Sequence, residues 1–68
     1  MKVFAERLKE LRKNRNISTD TFGKAIGVSD TAVCNWENNK HDIKGEDLVK
    51  IALFFGVSAD YLLGLSDG

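Results

Sequence analysis

Apolar residues recur along this chain at helical spacing, and no stretch alternates in the way a strand would. Phe4, Leu8 and Leu11 stand at positions i, i+4 and i+7, which predicts a helix over residues 2–14. A second stripe of the same kind predicts a helix over residues 45–55. The pattern therefore predicts an all-α fold.

Serine and glycine residues mark the ends of three shorter helices. Ser18 and Ser29 are suited to N-caps, because a serine hydroxyl accepts a hydrogen bond from the free N–H groups of a first turn. Gly27 is suited to a C-cap, because that position needs a left-handed backbone. The predicted helices are residues 19–26, 30–37 and, after a second Gly-Val-Ser sequence at 56–58, residues 59–63.

The short turn between the second and third helices gives the chain its most specific pattern. Gly23 is the small residue where the two helices would approach, and Val28 in the turn points an apolar side chain back to the first of them. This spacing is typical of a helix-turn-helix over residues 18–37. We expect residues 1–68 to form one small domain built around it.

Composition supports a globular protein in a reducing compartment. Of the residues, 43% are hydrophobic, and there is one cysteine, so no internal disulfide can form. We find neither a signal peptide nor a run of apolar residues long enough to span a bilayer. We therefore expect a cytoplasmic protein with no membrane partner.

Charge is balanced overall but divided between the two halves of the chain. The net charge is zero; residues 1–28 carry a net charge of +4, and residues 29–68 carry a net charge of −4. Such an asymmetry can present one positive face in spite of the neutral total. The distribution permits a nucleic-acid partner without proving one.

The outer face of the third helix is the candidate reading surface for DNA, because a helix-turn-helix places its second helix in the major groove. Asn35 can bond an adenine edge, the Thr31 methyl group can contact a thymine methyl, and Asp30 can accept from a cytosine amino group. The predicted base-reading residues are Asp30, Thr31, Cys34 and Asn35. The alternative is that this face is simply solvated.

Four polar residues near helix ends are candidates for contacts to DNA phosphates. Such contacts would position the third helix without specifying a sequence. The four candidate residues are Thr19 at the start of the second helix, Asn38 and Lys40 after the third, and Lys44 before the fourth.

Several longer sequences in the chain resemble one family. They are LKELRKNRNIS at 8–18, Phe22 to Ile26 followed by GVS at 27–29, NWENNK at 35–40 and LVKIALFFGVSADYLLG at 48–64. Together they are similar to the Cro/repressor-type helix-turn-helix family (the XRE family) of phage and bacterial regulators. The resemblance implies a five-helix, lambda-repressor-like domain that binds operator DNA as a homodimer and reads bases with the four residues named above.

The resemblance also implies a structural brace, and the chain departs from the family pattern at several positions, among them Thr19, Gly23, Asn39 and Ile43. It implies a partly buried ion pair between Arg12 and Glu37, each of which matches a residue of the family's pattern. Thr19 stands where the family usually has glutamine, and Gly23 stands where it usually has alanine.

Apolar residues beyond the predicted core favour self-association. The inward positions of the fourth helix are already filled by other residues, which leaves Leu53 and Phe54 surplus to the core. A larger core that wraps further around the helix is the alternative. We predict a dimer surface formed by Leu53, Phe54, Leu63 and Leu65, because an exposed apolar patch on a small domain usually marks an interface.

The chain shows no constellation of catalytic residues. His41 stands alone in a polar loop, without a second histidine or cysteine at metal-ligand spacing. There is no nucleophile paired with a base and no glycine-rich phosphate loop. We expect neither an enzyme nor a metal, a cofactor or a small-molecule substrate.

These patterns predict a sequence-specific regulator of transcription that binds double-stranded DNA. We expect a homodimeric repressor that recognises a palindromic operator through residues 30–37. The alternative is a protein-interaction module, such as an antitoxin-like partner, with weak or no DNA binding of its own.

Overall fold

The structure, a computed structural model that describes residues 2–67, contains five α-helices and, over that range, no strand. They are α1 (Lys2–Asn14), α2 (Thr19–Ile26), α3 (Asp30–Glu37), α4 (Gly45–Phe55) and α5 (Ala59–Leu63). These bounds are the predicted ones, so the all-α fold is confirmed. None of the helices in this range is long and apolar enough to cross a membrane.

One hydrophobic core receives side chains from all five helices. Its buried members are Phe4, Leu8, Phe22, Val33, Trp36, Ile51, Phe55 and Leu62. Helix α2 packs most extensively on α3, whereas α1 packs on both α3 and α5. Because Val33 and Trp36 fix the inner side of α3 in this core, the opposite side of α3 is held outward at a defined orientation.

The predicted caps are present at both ends of the turn. The Ser18 hydroxyl accepts a hydrogen bond from the Thr21 amide at 3.0 Å, and the Ser29 hydroxyl accepts one from the Ala32 amide at 3.1 Å. Gly27 has a φ of 80°, a left-handed conformation that costs a glycine no steric energy. Local chemistry therefore sets the ends of α2 and the start of α3.

Gly23 is where the backbone of α2 meets the turn. A Cβ atom at this position would lie 2.8 Å from the carbonyl oxygen of Val28, closer than van der Waals contact allows. The Val28 amide in turn donates to the Gly23 carbonyl at 2.8 Å. Glycine at position 23, a departure from the family pattern, thus lets the Val28 carbonyl approach α2 as closely as it does, and a side chain there would require a shift.

Candidate nucleic-acid interface

The four predicted base-reading residues lie on the outer side of α3, and Asn38 follows them at its C-cap. Asp30, Thr31 and Asn38 are exposed, and Cys34 and Asn35 are half-buried. The two core residues of α3 are on the opposite side. The helix therefore presents a face of short, hydrogen-bonding side chains.

Thr19 lies beside this face because α2 packs against α3. The Cys34 sulfur is 3.8 Å from the Thr19 hydroxyl oxygen and also 3.8 Å from a carboxylate oxygen of Asp30. A thiol has one hydrogen to donate, so it can satisfy one of these acceptors at a time. Cys34 links the start of α2 to the start of α3.

Asn35 and Asn38 differ in how their side-chain amides are used. The Asn38 side-chain nitrogen donates to the carbonyl oxygen of Cys34 at 2.9 Å, which commits a donor to the end of α3. Thr31 and Asn35 make no side-chain hydrogen bond to any residue within 2–67. Their polar groups are therefore free for a ligand, whereas part of Asn38 is not.

Lys40 and Lys44 are exposed at the edge of the same face. Neither forms a salt bridge with another described residue. Lys44 is the N-cap residue of α4, and its ammonium group, which has no lone pair to accept a hydrogen bond, makes no capping contact. The ammonium groups of both lysines are therefore available to bind an anion.

A cleft of about 410 Å³ opens between α3 and the first turn of α4. Asn35 lies on its α3 side and Lys44 on its α4 side, so the cleft joins a predicted base-reading residue to a predicted phosphate contact. The remaining lining residues are Ala32, Trp36, His41, Asp42 and Asp47.

The ion pair implied by the resemblance is present beneath this face. The Arg12 guanidinium donates from Nε to Glu37 Oε2 at 2.6 Å and from Nη2 to Glu37 Oε1 at 2.9 Å. The side chains are only 12% and 6% exposed. Arg12 also donates to the carbonyl oxygen of Ile17 at 2.8 Å, so it joins α1, the loop before α2 and the end of α3.

The bidentate contact with Glu37 also changes the pKa of Arg12. The hydrogen bond to Glu37 raises the pKa of Arg12, and this effect outweighs desolvation, which lowers it. Arg12 therefore stays charged throughout the physiological range and holds the last turn of α3 in place.

A helix-turn-helix domain family model matches residues 5–68. The chain belongs to this helix-turn-helix family. The prediction of a Cro/repressor-type domain is thereby confirmed.

Three relatives show the range of proteins that carry this helix-turn-helix domain. Repressor protein C2 of Salmonella phage P22 is 34% identical over 61 residues, which cover 90% of this chain and 28% of that protein. The transcriptional activator BcrR of Enterococcus faecalis is 37% identical over 60 residues, which cover 88% of this chain and 29% of BcrR. YobD of Bacillus subtilis, an uncharacterized HTH-type transcriptional regulator, is 29% identical over 65 residues, 96% of this chain and 58% of YobD. The chain thus spans under a third of the first two relatives and just over half of the third.

Two solved structures match nearly the whole helix-turn-helix chain. A crystal structure of the P22 c2 repressor with the synthetic operator 9T in the presence of Tl+ has a TM-score of 0.87 and 33% identity, and the match covers 93% of this chain and 96% of that one. The solution NMR structure of the P22 c2 DNA-binding domain has a TM-score of 0.82 and 34% identity, and the match covers 96% of this chain and 88% of that one. The lambda-repressor-like arrangement is confirmed.

Two further arginines hold the helix-turn-helix domain together through partners that sequence reasoning missed. Arg15 donates to the carbonyl oxygens of Phe54 and Phe55 at 3.1 Å each, so it caps the end of α4. Arg7 donates to the carbonyl oxygens of Tyr61 and Ser66, the latter at 2.7 Å, and lies 4.3 Å from the centre of the Tyr61 ring. Their partners are 39 to 59 residues away, so no local pattern could identify them.

These contacts show that several of the basic side chains in residues 1–28 have partners within the domain. Arg7, Arg12 and Arg15 are bound to groups inside the domain, and Lys24 forms an ion pair with Asp20 at 3.2 Å. Four of the seven basic side chains in residues 1–28 are therefore engaged by partners within the chain. Lys2, Lys9 and Lys13 in the same half stay exposed, as do Lys40 and Lys44 beside α3.

The four residues of the predicted dimer surface differ in their exposure. Leu53 and Leu65 are 78% and 75% exposed, and Leu63 is half-buried. Phe54, however, is half-buried and packs edge-on against Phe22, with ring centres 5.3 Å apart, so it is not surplus to the core as the sequence suggested. The core wraps further around α4 than its apolar stripe indicated.

Within residues 2–67, no group of three or more histidine, cysteine, aspartate or glutamate side chains is placed to hold a metal ion. The features that the domain brings together are the outer face of α3, the two lysines beside it and the cleft that joins them.

Proposed function

We propose that this chain is a sequence-specific, DNA-binding regulator of transcription that inserts α3 into the major groove. The observation that carries the proposal is the face of α3. Thr31 and Asn35 point outward without internal partners, while Val33 and Trp36 hold the other side of the helix in the core. A fixed helix with free polar side chains is the structure that direct readout requires.

The outward residues of α3 have distinct roles in this proposal. Asn35 bonds the edge of an adenine, and the methyl group of Thr31 contacts a thymine methyl. Asp30 accepts from a cytosine amino group. Cys34, whose thiol already reaches Thr19 and Asp30, fills the groove as a small neutral side chain.

Phosphate contacts on both sides of α3 fix its register on the duplex. Lys40 and Lys44 supply charge from the loop before α4, and Thr19 supplies a hydroxyl from α2. Asn38 has its side-chain oxygen to offer, because its nitrogen is used within α3.

Likeness to a solved repressor supports the regulatory role. The P22 c2 repressor has been solved with a synthetic operator, and its chain superposes on 93% of this one. One of the relatives is named as an activator, so the family includes both directions of regulation. We propose repression here, because both solved structures that match this chain are of a repressor.

A homodimer completes the proposed regulator. Twofold symmetry would place two copies of α3 about 34 Å apart, facing successive major grooves of a palindromic site. Leu53, Leu63 and Leu65 offer exposed or half-exposed apolar surface for this contact, and Phe54 contributes the side that does not pack on Phe22.

In-vitro selection of binding sites from a random duplex pool tests the function. We expect an enriched palindrome whose half-sites are one helical turn apart. Affinity for the enriched duplex should fall steeply with salt, because each phosphate contact releases counterions. Failure to enrich any sequence, or binding that does not change with salt, would contradict the proposal.

A second candidate function is a protein-interaction module with no DNA binding of its own. A groove of about 450 Å³ beside the highly exposed Leu53 favours it, since Ala25, Ile26, Phe54 and Lys50 complete a largely apolar lining. The same selection separates the two candidates, because a module of this kind would enrich no duplex.

A further inference from the structure

The cleft between α3 and α4 contains the chain's one histidine. His41 is exposed in the loop before α4 and has no side-chain partner among residues 2–67. It lines the cleft together with Asn35, which we assign to base reading, and Lys44, which we assign to a phosphate. In the proposed complex the imidazole therefore shares its cleft with a base-reading residue and a phosphate contact.

The charges around the cleft make the protonation state of His41 consequential. The α3 residues that line it are neutral, the loop contributes Asp42 and Lys44, and α4 contributes Asp47. Asp47 also lies 4.0 Å from the Lys50 ammonium group on its outer side. With a neutral imidazole the charged side chains lining the cleft sum to one negative charge, and with an imidazolium they sum to zero.

A DNA phosphate would respond to that difference. The neutral cleft admits a phosphate without net repulsion, and an imidazolium presents two N–H donors in place of one. Histidine is the side chain whose ordinary charge change falls between pH 5 and 8. DNA binding that favours the charged imidazole must then take up a proton.

We propose that His41 is a proton-dependent contact to the DNA backbone, so that DNA affinity rises as the pH falls from 7.5 to 5.5. This inference rests on the proposed function, because it requires DNA to lie along α3. The sign follows from linkage: a ligand that binds the protonated form more tightly gains affinity at low pH and loses it as the proton dissociates. Each proton fully coupled to binding changes affinity about tenfold per pH unit over the range in which it titrates.

Fluorescence anisotropy with the enriched, fluorescein-labelled duplex tests this inference at pH 5.5, 6.5 and 7.5 and constant ionic strength. We expect wild-type affinity to be at least about threefold higher per subunit at pH 5.5 than at pH 7.5. His41→Gln should bind at all three pH values with the affinity that the wild type has at pH 7.5. His41→Lys, which carries a fixed charge, should bind with nearly equal strength at all three.

Lys40→Ala is the matched control, because it removes a positive charge from the same loop and leaves the imidazole in place. It should weaken binding at every pH and leave the pH dependence intact. Circular dichroism at each pH checks that every variant is folded. Residue 41 is exposed, so we expect its substitution to leave the fold intact.

The results separate this inference from the function on which it rests. Strong binding that varies less than about threefold with pH, or a pH dependence that survives in His41→Gln, overturns the role of His41 and leaves the regulator intact. Absence of duplex binding at all three pH values overturns both.

Discussion

At the residue scale, the contact between Arg12 and Glu37 ties the recognition helix to the rest of the domain. The guanidinium binds the carboxylate through two nitrogens and uses a third to reach the Ile17 carbonyl. Such pairs add little net stability compared with apolar residues of the same size, but removal of one partner leaves a charge without compensation.

We expect Glu37→Gln to lower the free energy of unfolding by about 3 kcal/mol, because it leaves the Arg12 charge largely desolvated and unpaired. Arg12→Met should have a comparable effect, and the double variant should be less destabilised than the sum of the two. Urea denaturation followed by circular dichroism measures all three. Additive single effects would show that the two side chains are not coupled.

The exposed pair between Asp20 and Lys24 provides the control for this prediction. Its side chains are 59% and 78% exposed, so solvent screens their attraction. Lys24→Met should change the free energy of unfolding by no more than about 0.5 kcal/mol. A larger effect there would mean that loss of charge alone, without burial, destabilises the domain.

Base reading and backbone contact can also be separated at single residues. Asn35→Ala should relax specificity at one base pair of each half-site, at a cost of about 1–3 kcal/mol toward the preferred base. Lys40→Ala should weaken all sequences alike and reduce the salt dependence by about one counterion per subunit. Repeating the site selection with Asn35→Ala measures the first effect, and binding titrations of Lys40→Ala at several salt concentrations measure the second. Equal losses on every duplex for Asn35→Ala would remove that residue from the reading surface.

At the element scale, helix ends in this chain depend on a few residues with special backbone angles. Gly27 and Gly56 both have left-handed φ values, of 80° and 68°, at the ends of α2 and α4. Each is followed by Val-Ser, which returns an apolar side chain to the core and supplies the next N-cap. The repeated Gly-Val-Ser sequence is therefore one local solution used twice.

We expect Gly27→Ala to lower the free energy of unfolding by about 1 kcal/mol, because a Cβ atom is disfavoured at positive φ. A Cβ atom on residue 27 would have no neighbouring atom within 4 Å, so the loss would come from the backbone and not from a clash. Thermal denaturation measures the change in melting temperature.

Gly45→Ala is the matched variant, since its Cβ also meets nothing within 4 Å but its φ is negative. It should leave stability unchanged or raise it by up to about 1 kcal/mol, because it restricts the unfolded chain. Equal destabilisation of both variants would contradict the assignment of the effect to backbone angle.

At the scale of the whole molecule, assembly on an operator depends on how two domains meet. Leu53 projects from α4 with 78% of its surface exposed, beside a groove formed with residues of α2. Exposed leucine at such a site contributes little to folding, so its substitution tests association with small effects on stability.

We expect Leu53→Glu to weaken self-association and to lower affinity for a palindromic duplex, while affinity for a single half-site is retained. The reason is that a carboxylate would be desolvated in an apolar contact. Sedimentation equilibrium with and without the duplex measures the assembly, and circular dichroism confirms the fold. Unchanged dimer formation by Leu53→Glu would place the dimer contact elsewhere.

Local sequence was sufficient to define the helices and their ends. Periodic apolar residues, serine caps and Gly27 act within a few residues of one another, so their effect can be predicted without the fold. The outward face of α3 followed from the same periodicity, because residues that face away from Val33 and Trp36 must face solvent. The Arg12–Glu37 pair came from the family resemblance and not from local pattern.

Packing of the whole domain settled which of these side chains remain available. It placed Arg7 and Arg15 on carbonyl groups of distant helices, turned Phe54 into the core and used the Asn38 amide within α3. It also brought His41 into one cleft with Asn35. These outcomes depend on which helix ends meet in space, and that is set by packing of the shared core, which no local sequence pattern specifies.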